Sequence, residues 1–190
     1  MSVEDELKQK EAAYKILKEH LILPERLKSK KSFKRHVVNH EFPVLALFMR
    51  KDNPRCQKTE ERLKRALIKT HGKFRLCLID ADEIDDDLRD AFNIQYTPSL
   101  FLFYRHNIAQ EYRGTIRREK LMEFVRAAEF YHTIATEERL VIQLISEGLH
   151  FIESKKWEDA ISLLDEAESL ERWIDLYGGK IYSSLAFANA

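Results

Sequence analysis

Tyr96-Thr97-Pro98-Ser99-Leu100-Phe101-Leu102-Phe103 is the stretch on which the fold turns. A proline stands directly before an apolar run of strand length, and proline is tolerated at a strand's first residues but not inside a central strand. The run therefore reads as a buried strand over residues 99–104, entered through Thr97-Pro98. Residues 108–112 follow across Arg105-His106-Asn107, and a link of three residues permits a hairpin but no crossover.

Outward from this hairpin the chain alternates strands and helices. Val44 to Met49 is a continuous apolar run that suits a buried central strand. Asn53-Pro54 then makes a helix start, with Asn as N-cap and Pro at the first helical position. Leu63, Ala66 and Leu67 lie at helical spacing within residues 57–70, and His71-Gly72 stops the helix. Residues 74–79 read as a second buried strand and residues 83–92 as a short helix. Gly114 breaks the chain, and residues 117–131 form a closing helix. The order β-α-β-α-β-β-α defines an α/β domain with parallel pairing first and an antiparallel hairpin last.

Purely helical patterns flank this domain. Residues 4–21 place Leu7, Ala12, Tyr14, Ile16, Leu17 and Leu21 near one face, and Pro24 ends that helix. Residues 25–38 look like a second helical segment whose basic face carries Arg26, Lys28, Lys30, Lys31, Lys34 and Arg35. That face is either solvated or a docking patch for an acidic partner. Beyond residue 136 a helix pair is expected over residues 141–154 and 157–170, capped by a third helix near 179–189. The resulting division is an N-terminal helix (1–27), an α/β domain (28–132) and a helical segment (136–190).

With 190 residues, of which 44% are hydrophobic, the chain can bury a real core. Its 32 basic and 32 acidic side chains balance, so no global field favours nucleic acid or an anionic membrane. The apolar runs are too short to span a bilayer, and residues 1–10 are highly charged without an apolar h-region, which makes a cytoplasmic protein the expectation. Only Cys56 and Cys77 occur, too few for a disulfide-stapled domain. Neither has a metal-type partner nearby, and the acidic series Asp80, Asp82, Glu83, Asp85, Asp86, Asp87 lacks the glycine and spacing of a calcium loop. No phosphate loop, nucleophile elbow or zinc-protease motif occurs, so neither a metal nor another cofactor is expected.

Over residues 28–131 the sequence resembles the thioredoxin fold. The matching elements, in order, are Pro43-Val44-Leu45, the Asp80-Ala81-Asp82-Glu83 turn, Tyr96-Thr97-Pro98 with its candidate cis-proline, and Gly114 before the last helix. Active members carry Cys-x-x-Cys at a helix N-terminus, where the dipole and free amides favour thiolate. The corresponding residues here are Asn53-Pro54-Arg55-Cys56. Cys56 takes the resolving position, so it could enter a mixed disulfide but has no neighbouring sulfur to release it. Leu47 stands where active members keep a buried acid, and Asp52 replaces their tryptophan, placing like charge beside any thiolate at 56. Cys56 is then either a helix residue without redox role or a slow thiol trap or oxidation sensor. Cys77 reads as core. The resemblance also implies a peptide-contacting surface of Asn53, Pro54, Arg55, Thr97 and Pro98, although the proline loop could serve shape alone.

In the helical segment Leu144, Gly148, Phe151, Trp157, Ala160, Leu164 and Ala167 fall where a tetratricopeptide repeat places its packing residues. Glu147 and Arg172 depart from that pattern, at a usually apolar and a usually proline position. A one-cysteine thioredoxin-like domain followed by such helices resembles the bacterial chaperedoxins. That resemblance implies a poor reductase that holds protein clients, protects their cysteines through mixed disulfides and passes them to a chaperone. The leading expectation is thus a non-catalytic protein-binding module, a redox-linked chaperone or adaptor. The rivals are a slow monothiol oxidoreductase using Cys56 and a redox-inert scaffold subunit.

Overall fold

The computed structural model describes residues 23–170. The helix expected over residues 4–21, the capping helix near 179–189 and Arg172 lie outside these residues. The elements are β1 (Glu25–Leu27), α1 (Lys30–Phe33) continuing into a π-helical turn (Lys34–Val38), β2 (Val44–Met49), α2 (Pro54–Lys69), β3 (Arg75–Asp80), α3 (Asp86–Ala91), β4 (Ser99–Tyr104), β5 (Asn107–Arg113), α4 (Arg118–Glu153) and α5 (Trp157–Ser169).

The strands form one sheet in the order β1-β3-β2-β4-β5. Strand β3 pairs in parallel with both β1 and β2, whereas β4 runs antiparallel to β2 and to β5. All six residues of β2 and all six of β4 are buried, which is why they read as unbroken apolar runs and not as alternating ones. Alternation survives in where the side chains go. Leu45, Leu47, Leu76, Leu78, Leu100 and Leu102 join Leu63 and Leu67 of α2 and Phe124 and Val125 of α4 in one cluster. Val44, Ala46, Phe48, Cys77, Ile79, Phe101 and Phe103 join Phe33 and Val37 of the first helical segment and Leu88 of α3 in the other. Successive residues thus serve opposite faces, and the sheet is the middle of three layers. The second face is largely aromatic, with Phe33, Phe48, Phe92, Phe101 and Phe103 in mutual ring contact.

Three sequence expectations need correction. Residues 25–27 are a strand and not the start of a helix: Glu25 stands opposite Cys77 in register, and its carboxylate meets the Arg75 guanidinium at 2.5 Å and His36 Nδ1 at 3.1 Å. The hairpin link is Arg105-His106 alone, since Tyr104 pairs with Asn107. Both turn residues take positive φ, 49° and 67°, the pattern of a two-residue type I′ turn. Lastly, no break separates a closing helix from a first helix of the C-terminal pair. Helix α4 runs for 36 residues, because the stretch around residues 132–140 contains neither glycine nor proline.

Two compact units divide the chain between His132 and Thr133, within α4. In the second, Val141, Leu144 and Ile145 of α4 pack with Ala167 of α5, joined by Ile134, Leu149, Leu163 and Leu170. Lys155, at φ 58°, marks the corner between the helices. A Cβ built on Gly148 would sit 2.9 Å from Leu164 Cγ, so the approach of the two helices depends on the missing side chain. Leu164 and Ala160 are themselves fully buried.

Gly148→Val is therefore expected to destabilise the helical unit by about 1–3 kcal/mol through overpacking, although valine is the better helix former. Urea unfolding followed by circular dichroism checks it; unchanged stability would mean the hairpin does not pack through this contact.

Candidate functional site at the start of helix α2

Helix α2 begins as the residue pattern requires. Asn53 has extended backbone angles, φ −94° and ψ 113°, and its Oδ1 accepts the Arg55 N–H at 2.9 Å. Pro54 occupies the first turn, where its missing N–H costs nothing. The same Asn53 side chain donates from Nδ2 to the Thr97 carbonyl at 3.5 Å, a long contact that ties the helix start to the loop before β4. Thr97-Pro98 is cis.

Around this pair the neighbouring segments converge. The Gly114 N–H donates to the Pro98 carbonyl at 2.8 Å, and Gly114 sits at φ 94°, where a side chain would be strained. Arg55 Nη1 reaches Thr115 Oγ1 at 3.2 Å. Gln57 Nε2 donates to the Lys51 carbonyl at 2.7 Å and Ser99 Oγ to the Tyr96 carbonyl at 2.6 Å, fixing the loops on either side. The structure thus brings Asn53, Arg55, Thr97 and Pro98 to one end of the sheet. Pro54 and Arg55 are exposed there and Pro98 is buried.

Two residues of this end are not among the site residues expected from the sequence. Tyr96 is 64% exposed beside the proline loop, and Thr115 holds Arg55 from 60 residues away. The sequence marks Tyr96 only as the residue entering the proline loop, and Thr115 has no local pattern at all; its tertiary approach to α2 reveals it.

Cys56 is on this helix but not on this surface. It has no exposed area and packs with Leu45, Leu47, Met49 and Leu63 on the α2 side of the sheet. Leu47 is equally buried and belongs to the same cluster as Cys56, so it contributes hydrocarbon to that core. Cys77 belongs to the opposite cluster, with the sheet between the two sulfurs. Burial pushes the Cys77 thiol up to about 12, only partly countered by Arg75, and its Sγ lies 3.9 Å from the His36 carbonyl. The chain therefore holds no dithiol pair.

The acidic series is occupied by cations. Lys51 meets Asp80 at 3.1 Å and also Glu83; these carboxylates raise the pKa of its ammonium. Arg50 meets Asp82 at 3.0 Å, and Arg89 meets Asp86 at 3.1 Å. Among the described residues no group of three or more His, Cys, Asp or Glu side chains could hold a metal ion, and no helix is long and apolar enough to cross a membrane. The basic face expected on residues 25–38 is half neutralised, through Arg26–Glu60 at 3.2 Å, Lys28–Glu83 at 3.9 Å and Lys30–Asp87 at 3.2 Å.

A helix start packed on a cis-proline loop thus closes one end of a sheet ordered β1-β3-β2-β4-β5. The thioredoxin family model matches residues 25–127, and the chain belongs to the thioredoxin family. Among solved structures, the thioredoxin of Malassezia sympodialis (Mala s 13) shares the fold, with 16% identity and a TM-score of 0.51 over 56% of this chain and 91% of that one. A single-residue mutant of the thioredoxin from Halobacterium salinarum NRC-1 is 21% identical, with a TM-score of 0.49 over 58% of this chain and 92% of that one. No curated protein matches the chain significantly.

Two outcomes follow from the geometry. Asn53→Ala should cost about 1 kcal/mol by removing the cap, and Asn53→Ser well under that, in chemical denaturation. Cys77 should resist alkylation in the folded protein at pH 8 and label only on unfolding, as read by mass spectrometry; rapid native labelling would contradict its enclosure.

Proposed function

We propose that this protein is a non-catalytic thioredoxin-family module that binds other proteins, acting as a redox-linked chaperone or adaptor. The observation that carries the reading is the engagement of Asn53. The position that would hold an attacking sulfur instead caps the helix and bonds the proline loop, which keeps the binding end of the fold and omits its nucleophile.

The exposed surface at that end suits an extended segment of a client. Tyr96 and Pro54 offer apolar area, Arg55 a fixed charge, and the Thr97-Pro98 backbone the edge against which a peptide can lie. The helical hairpin beyond residue 133 has the small-residue contact of a tetratricopeptide-like pair, Gly148 on Leu164, and would give the module a second protein-binding element. Cys56 supplies the redox link. After local opening of the first turn, its thiolate would attack a client disulfide, forming one mixed disulfide and releasing the client's other sulfur as thiolate. With Cys77 across the sheet, release would need an external thiol.

Mild oxidant treatment in cells, followed by isolation of wild-type protein and Cys56→Ser, tests this. Reductant-sensitive adducts on wild type and none on Cys56→Ser are expected, with slowed aggregation of an oxidised client and negligible insulin reduction. Rapid insulin reduction by wild type would make it an enzyme. A single stoichiometric partner insensitive to reductant and to Cys56→Ser would make it a redox-inert scaffold.

A further inference from the structure

The cations of this balanced chain are not evenly spread. Helix α2 carries Arg55, Lys58, Arg62, Arg65 and Lys69, spaced by three, four, three and four residues, which sets all five on one face. The stripe borders an open groove between α2 and the start of α4, in two confluent sections of about 390 and 990 Å³. Arg117, Arg118 and Arg126 line it from the other side.

Eight cations thus meet three acids, Glu119, Glu123 and Glu129. Two of those acids are engaged, Glu123 by Lys120 at 2.6 Å and Glu129 by Lys73 at 3.5 Å. Among the groove's cations only Arg65 has a carboxylate of a described residue within reach, Glu61 at 3.9 Å. Lys58, Arg62, Lys69, Arg117, Arg118 and Arg126 have no ion pair with any described residue. The contrast with residues 25–38 is chemical: there the acids of residues 60–87 neutralise half the run, and here the described residues leave the stripe largely uncompensated.

We infer that this groove is a docking site for an acidic amphipathic helix of a partner protein. The five-cation stripe covers 14 residue steps, about 21 Å, the length of roughly four turns of a second helix. Carboxylates repeating every three or four residues would meet it in register. Leu121 and Val125 are buried along the groove and Met122 is 36% exposed, an aliphatic floor for the apolar seam of such a helix. Nucleic acid fits less well. No aromatic side chain lines either section for base stacking, and the interspersed glutamates oppose phosphate. The site shares Arg55 with the client surface and from there runs along α2 away from the proline loop; its other seven cations lie outside that surface, and it does not use Cys56.

Fluorescence anisotropy on the full chain tests the proposal. The probe is a labelled helical peptide of about 20 residues with glutamates at three- and four-residue spacing and a leucine seam. A scrambled peptide of equal composition and a single-stranded oligonucleotide of similar length are the comparisons. Arg62→Glu with Lys69→Glu is expected to weaken peptide binding about tenfold, and Lys31→Glu with Lys34→Glu to leave it within about twofold. The scrambled peptide should bind about fivefold more weakly, and added salt should weaken the complex. Thermal melts accompany each variant. If the reversed pair fails to fold, Arg62→Gln with Lys69→Gln serves instead, with about a threefold loss expected. Equal binding of both peptides, equal losses from the two pairs, or tighter Arg62-dependent binding of the oligonucleotide would overturn the inference.

Discussion

Every residue of strands β2 and β4 is buried, and this constraint organises the rest of the molecule. A strand buried on both faces must be covered on both, so each of the two faces recruits its own helices. The leucine-rich side takes α2 and the beginning of α4; the phenylalanine-rich side takes α1 and α3. The covering helices need short, well-terminated ends. Asn53 and Pro54 supply one, and His71 with Gly72, both at positive φ, supply the other end of α2.

That burial also decides what the thiols can do. Cys56 and Cys77 are small hydrophobes in the two halves of the core before they are anything chemical. The end of the sheet where α2 starts therefore presents an asparagine, a proline and an arginine in place of a sulfur. Polar contacts there, Asn53 to Thr97 and Gly114 to Pro98, hold two loops against one helix start without a reactive atom.

Much of this was legible in the residues. The runs 44–49 and 99–104 matched their strands to the residue, because full burial leaves a signature that local composition cannot hide. Asn53-Pro54 announced its helix start for a related reason: capping is a local interaction. What could not be read was long-range. Strand β1 has three residues, too few for periodicity, and exists through its pairing with residues 77–79. The hairpin turn contains Arg105 and His106 where glycine or asparagine would have given it away; His106 instead bonds the Val38 carbonyl at 2.9 Å. The basic stripe of α2 was invisible as a run because its members are three and four residues apart, whereas the conspicuous run at residues 26–35 is half neutralised by acids brought from residues 60–87.

The placement of the sulfurs on opposite sides of a five-stranded sheet has a kinetic meaning. An oxidising equivalent that arrives at Cys56 cannot be passed to a second sulfur of the same chain. Were Cys56 oxidised, both the arrival and the departure of that equivalent would need a collision with another molecule, so the lifetime of the modified state would be set by the surroundings and not by any internal clock of the protein.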